Sequence, residues 1–113
     1  MDEYLEAMTR LRDLLTSCQD HYWTAGVEAF LQEYNQLQST QRDSLKHLEY
    51  FQRVERAICA GMGSLSDLNF SLAAGHHGDE NSLRAANQNK DKLLDEMYEI
   101  CTTRIENLKR QSN

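Results

Sequence analysis

YLEAMTRLRDLLTSC, residues Tyr4 to Cys18, carries the pattern on which the fold turns. Tyr4, Met8, Leu11, Leu15 and Cys18 follow one another at steps of 4, 3, 4 and 3, with Leu5 and Leu14 alongside. That spacing returns to one side of a helix of about 3.6 residues per turn, so the stretch predicts an amphipathic helix from about Asp2 to Ser17. The pattern lapses at Cys18-Gln19-Asp20-His21 and resumes with Trp23, Val27, Phe30, Leu31, Tyr34 and Leu37, a second helix that Asp20 is placed to cap. Polar Gln38-Ser39-Thr40 interrupts it again, and Leu45, Leu48, Phe51, Val54 and Ile58 mark a third helix expected to close at Gly61.

Four of the five glycines fall between Gly61 and Gly78. Within that segment Ser64-Leu65-Ser66-Asp67 has the spacing of a capping box, with Ser64 as N-cap, and predicts a short helix from about Leu65 to Ala73. Gly75-His76-His77-Gly78-Asp79-Glu80-Asn81 reads as a polar surface loop. Leu94, Met97, Cys101, Ile105 and Leu108 define the last helix, while its approach through Asn87, Asn89, Lys90 and Asp91 is poor in apolar residues and reads as candidate loop.

Each stripe can be buried only against another helix, so the expected fold is all-α: one domain over residues 1–113, an antiparallel bundle of four main helices plus a short helix after the central glycine motif. The chain has 113 residues, 40% of them hydrophobic, enough for one core. Proline is absent, which leaves long helices uninterrupted. No segment shows the alternation of a strand.

With 18 acidic and 12 basic residues the net charge is −6, the wrong sign for a nucleic-acid or anionic-membrane binder. The excess has a location. Residues 1–33 hold seven acids against Arg10 and Arg12, and residues 61–81 hold three acids and no base, whereas the rest of the chain is nearly balanced. If these parts face one side, Asp13, Asp20, Glu28 and Asp67 form an acidic surface suited to a basic protein partner. The start of the chain is acidic, and no apolar run reaches the length of a signal core or a membrane span, so the expected compartment is the cytoplasm. Cys18, Cys59 and Cys101 are far apart in sequence and lie on or beside apolar stripes, which predicts reduced, unreactive thiols.

Three other features bear on chemistry. His76 and His77 beside Asp79 and Glu80 form the one cluster with the donor types of a divalent-metal site, although no spacing places two imidazoles on one helix face; this loop is the alternative reading, as a metal- or ligand-binding site or a small enzyme. Gly61-Met62-Gly63-Ser64 ahead of a helix has the flexibility to turn backbone N–H groups toward an anion, but lacks the Lys-Ser/Thr ending of a phosphate loop, and a structural turn plus cap fits better. Asp91, Asp95 and Glu99 share a helical face with no E-x-x-H partner and read as a solvated surface. No catalytic residue and no cofactor is expected.

The segment Ala60-Gly61-Met62-Gly63-Ser64-Leu65-Ser66-Asp67-Leu68 resembles the Gly-Gly-Met-Gly-Ser-Phe/Leu-Asn-Asp-Leu motif of a family of small, mostly uncharacterised bacterial all-helical proteins. The likeness extends to Leu14-Leu15 and Trp23 in the opening helix pair and to Asn89-Lys90-Asp91-Lys92-Leu93-Leu94-Asp95-Glu96-Met97-Tyr98 in the closing helix. Two positions depart from the motif: Ala60 replaces its first glycine, and Ser66 its asparagine. Gly61, Gly63, Ser64 and Asp67 of this segment are the structural turn and cap read above, and the resemblance implies a small all-helical protein without an established enzymatic activity, of a kind found beside toxin genes as an immunity protein. The partner it implies is a cognate toxin domain.

Overall fold

The computed structural model describes residues 2–40, 44–59 and 63–111. Four α-helices account for most of them: α1 (Glu3–Ser17), α2 (His21–Thr40), α3 (Ser44–Val54) and α4 (Glu80–Gln111). A π-helical turn over Glu55–Cys59 prolongs α3, and a single 3-10 turn covers Leu65–Asp67. Among the described residues there is no strand, and the expected all-α bundle is the observed architecture. α4, at 32 residues, sets the long dimension of a body measuring 49 × 25 × 23 Å.

The helix ends follow from local chemistry. Asp2 caps α1, its Oδ1 accepting the Tyr4 N–H at 2.9 Å. At the other end Gln19 takes a left-handed φ of 58°, and its N–H and that of Asp20 return to the carbonyls of Thr16 and Leu15, which satisfies the last turn of α1. Asp20 then caps α2 by accepting the Trp23 N–H at 3.0 Å, as its position in the sequence suggested.

The apolar stripes meet as expected. Tyr4, Met8, Leu11 and Leu15 of α1, Val27 and Tyr34 of α2, Tyr50, Phe51 and Val54 of α3, and Met97 and Cys101 of α4 are buried in one core. α1 packs against α2 and α4, and α3 packs against α4 and more lightly against α2, so α1 and α3 occupy diagonal corners. Tyr4, Tyr34, Tyr50 and Phe51 stack as a cluster with ring centroids 4.7 to 6.1 Å apart, mostly edge to face, at the end of the bundle where α1 begins.

Two expected boundaries are corrected, and one helix changes its winding. α4 starts at Glu80, so Asn87, Asn89, Lys90 and Asp91 are helical rather than loop. The third helix changes from α to π geometry after Val54 and continues to Cys59, the last residue described before its expected close. The helix expected over Leu65–Ala73 shrinks to Leu65–Asp67, because the backbone beyond it bonds to side chains of α4 instead of to itself. Asn87 accepts the Phe70 N–H at 2.8 Å and donates to the Phe70 carbonyl at 3.0 Å, and Lys90 Nζ donates to the carbonyls of Ser66 and Leu68. Backbone groups paired in this way need no further helix. The polar residues that made the start of α4 look like loop are therefore the ones that hold the segment in front of it.

Candidate interaction surface

The histidine loop is built into the fold rather than displayed on it. His76 is 8% exposed, and both ring nitrogens are occupied. Its Nδ1 accepts the Ser71 N–H at 3.0 Å, which leaves the ring proton on Nε2 to be donated to Asp20 Oδ2 at 2.8 Å. The same carboxylate caps α2 through its other oxygen, and the His77 N–H bonds to the Cys18 carbonyl at 2.9 Å. Loop, α1–α2 joint and α2 cap are thus one hydrogen-bonded unit. Asp79 is the N-cap of α4: its Oδ1 accepts the Ser82 N–H at 2.7 Å, while its own N–H reaches Ser82 Oγ. The Ser82 N–H, then the Ser82 hydroxyl, hold the Asp79 carboxyl below its ordinary range. Gly78 precedes this cap at φ +136°, where an added Cβ would lie 2.6 Å from Ser82 Oγ. His77 and Glu80 are exposed. Among the described residues no three His, Cys, Asp or Glu side chains gather closely enough to hold a metal ion.

The central motif is a structural turn with bonding that differs from the expected capping box. Ser64 occupies the N-cap position, but its side chain makes no cap bond; its Oγ lies 2.6 Å from Ser66 Oγ. Asp67 Oδ2 reaches past it to accept the Gly63 N–H at 2.7 Å, across a glycine whose φ is +79°. The expectation that Gly61 closes α3 lies outside the described residues. Lys90 is 3% exposed, and its ammonium covers the carbonyl end of the 3-10 turn, where a cation is favoured.

A second polar cluster, which sequence reasoning did not anticipate, joins the two chain ends. Arg104 donates to Asp2 Oδ1 at 2.9 Å and to the Tyr34 hydroxyl at 3.1 Å, and that hydroxyl donates to Asp2 Oδ2. Burial alone would raise the Asp2 carboxyl, but the Tyr34 hydroxyl, the Tyr4 N–H and Arg104 outweigh it and hold it below its ordinary 3.8. Burial, with donation to Asp2, pushes the Tyr34 phenol up. Residues 102 positions apart give no periodic signal, so no local pattern announces this contact.

The four acids expected to form one face are divided. Asp20 is turned inward, its side chain only 10% exposed and spent on His76 and Trp23. Asp67 is exposed but belongs to the segment beyond α3, which packs on the π turn, at the corner diagonal to α1. Asp13 and Glu28 remain, on the adjacent helices α1 and α2. A groove of about 410 Å³ runs between α1 and α2, lined by Leu5, Glu6, Thr9, Arg12, Leu31 and Asn35, among others. Asp13 lies one turn beyond Thr9 on α1, and Glu28 one turn before Leu31 on α2, both outside the groove's own lining. Its floor is apolar at Leu5 and Leu31. Its charged lining residues are Glu6, Arg10 and Arg12; Arg10 pairs with Glu6, and Arg12 donates to Asp13 at 3.2 Å. Asp13 is 66% exposed, and Glu28 is exposed with no ion pair among the described residues.

Compared with family models, curated proteins and solved structures, the chain matches none. No helix is long and apolar enough to cross a membrane, among the residues described.

Proposed function

We propose that this chain works by binding another protein, without catalysing a reaction, and most concretely that it is a cytosolic immunity protein that covers a cognate bacterial toxin. The observation that carries the proposal is the α1–α2 groove, apolar at Leu5 and Leu31, with the exposed acids Asp13 and Glu28 one helical turn beyond Thr9 and before Leu31 of its lining. Such a surface suits a partner presenting an apolar side chain ringed by Lys or Arg. The net charge of −6 supports it by attracting a basic partner over a distance of about 8–10 Å at ordinary ionic strength. Two further points agree. His76, Asp20, Asp79 and Lys90, the side chains with most chemical potential, are committed to bonds that hold the chain together. The central glycine segment resembles that of small helical proteins encountered beside toxin genes.

The test has two arms. The chain, tagged in its native host, is purified with whatever it retains, and the retained protein is then expressed in a naive host with or without this chain. The proposal expects a partner whose expression alone arrests growth, rescue of growth by the wild type, and loss of rescue by Asp13→Lys/Glu28→Lys at unchanged melting temperature. Growth arrest that the wild type fails to relieve, or rescue that the double variant preserves in full, contradicts it.

A further inference from the structure

Cys59 and Cys101 are separated by 42 positions, and nothing in their spacing suggests that they meet. The fold brings them together. Cys59 is the last residue of the π turn, Cys101 lies near the middle of the C-terminal half of α4, and these two elements pack directly on each other. Their side chains are close enough to interact. The two differ in access: Cys101 is fully buried, whereas Cys59 is only half-buried at the edge of the core. Glu55, on the same turn as Cys59, accepts the Thr102 hydroxyl at 3.0 Å, which fixes the π turn against α4 one residue from Cys101. Cys18, the third thiol, lies buried at the opposite end of α1 beside the histidine loop and has no such neighbour among the described residues.

We propose that Cys59 and Cys101 are a redox modification site, at which a hydroperoxide converts the thiol pair to a disulfide that ties the end of the π turn to α4. Cys59, the less buried of the two, reacts first. The Cys59 thiolate attacks the distal oxygen of hydrogen peroxide, the O–O bond breaks, and after protonation the products are a Cys59 sulfenic acid and one water. The Cys101 sulfur then attacks the Cys59 sulfur, the S–O bond breaks, and the departing hydroxide takes the Cys101 proton as a second water. The two sulfurs give up two electrons, and the peroxide bond accepts them. The interaction with the Cys59 side chain, then burial, push the Cys101 thiol up, so it waits as a protonated donor aimed at its target instead of competing for the oxidant. An S–S bond here closes a long loop, and a cross-link of that kind restricts the unfolded chain. Oxidation is therefore expected to stabilise the protein, reversibly, and to pin the π turn against α4.

The experiment uses the full chain and hydrogen peroxide, followed by alkylation of the remaining thiols and tryptic digestion. The expected product is residues 57–84 linked to residues 93–104, with Cys18 alkylated, an upward shift of the melting temperature, and reversal of both by a dithiol. Cys18→Ser should behave as wild type. Cys59→Ser, at a half-buried position, should remain folded and give neither the link nor the shift. The proposal is overturned if the native chain forms no such link, if Cys59 proceeds to a sulfinic acid while Cys101 stays free, or if Cys18 is linked as readily as the other two.

Discussion

Tyr50 passes a hydrogen bond along a short relay, and its direction makes a sharp statement about which hydroxyl matters. The Tyr50 hydroxyl donates its single proton to the Phe30 carbonyl at 2.7 Å, so the Tyr4 hydroxyl, 2.7 Å away, must donate to Tyr50. Removing the Tyr4 hydroxyl empties only an acceptor lone pair, whereas removing that of Tyr50 strands a buried donor. Tyr50→Phe should therefore cost about 1–3 kcal/mol and Tyr4→Phe less than ~1 kcal/mol, an ordering that urea denaturation of the two variants measures directly. Asp2 offers a second residue-level test, through pH. Its folded carboxyl titrates below the ordinary 3.8, so its contribution to stability is full above that value and disappears as pH falls through the lower, folded one. Asp2→Asn keeps a cap but loses the charge opposite Arg104; the expected loss is about 1–2 kcal/mol near neutral pH, reduced because the pair is partly exposed. That difference between wild type and variant should shrink steadily in melts as pH falls below 3.8 and through the lower folded value. A difference independent of pH would mean that the Asp2 charge contributes nothing.

The elements divide into those that could be read locally and those that could not. Tyr4, Met8, Leu11 and Leu15 give α1 away because a helix repeats its own pattern, and Asp20 gives away the start of α2 because capping is a local bond. The segment 63–79 follows another logic. Ser64 and Asp67 have the spacing of a capping box that opens a helix, yet the backbone groups of Leu68 and Phe70 are claimed by Lys90 and Asn87 from α4, about 20 positions downstream. His76 likewise looked like a surface ligand because its partner, Asp20, lies 56 positions away. Metal-like residue types in a glycine-bounded loop are indistinguishable, in sequence, from a buried staple. Asn87→Ala tests this account of the segment: it leaves the Phe70 N–H and carbonyl without partners, and the Phe70 amide should exchange with solvent at least about tenfold faster, while amides of Leu11 and Leu15 in α1 keep their protection. Unchanged exchange at Phe70 would mean that packing alone holds the segment.

At the scale of the whole molecule, the acidic excess is split by the bundle. The helix order sets Asp67 at one corner and Asp13 with Glu28 near the opposite one, and it turns Asp20 inward, a division that composition alone cannot reveal because it depends on which helices are neighbours. What survives is a groove between α1 and α2 with two exposed acids, Asp13 and Glu28, one turn outside its lining. If a basic partner docks there, its association should slow roughly tenfold or more when ionic strength rises from about 0.05 to 0.5 M, with dissociation much less affected, because screening acts mainly on encounter. An association rate indifferent to salt would leave only the apolar floor at Leu5 and Leu31 to attract a partner. The most direct measurement places a photoactivatable cross-linker at Thr9, on the wall of the groove, and in a separate protein at Asp67, on the far corner, and irradiates each in the native host. The account predicts one discrete adduct from Thr9, weaker at high salt and mapped to a peptide rich in Lys or Arg, with no matching adduct from Asp67. Equal adducts from both positions, or an adduct from Asp67 alone, would contradict it.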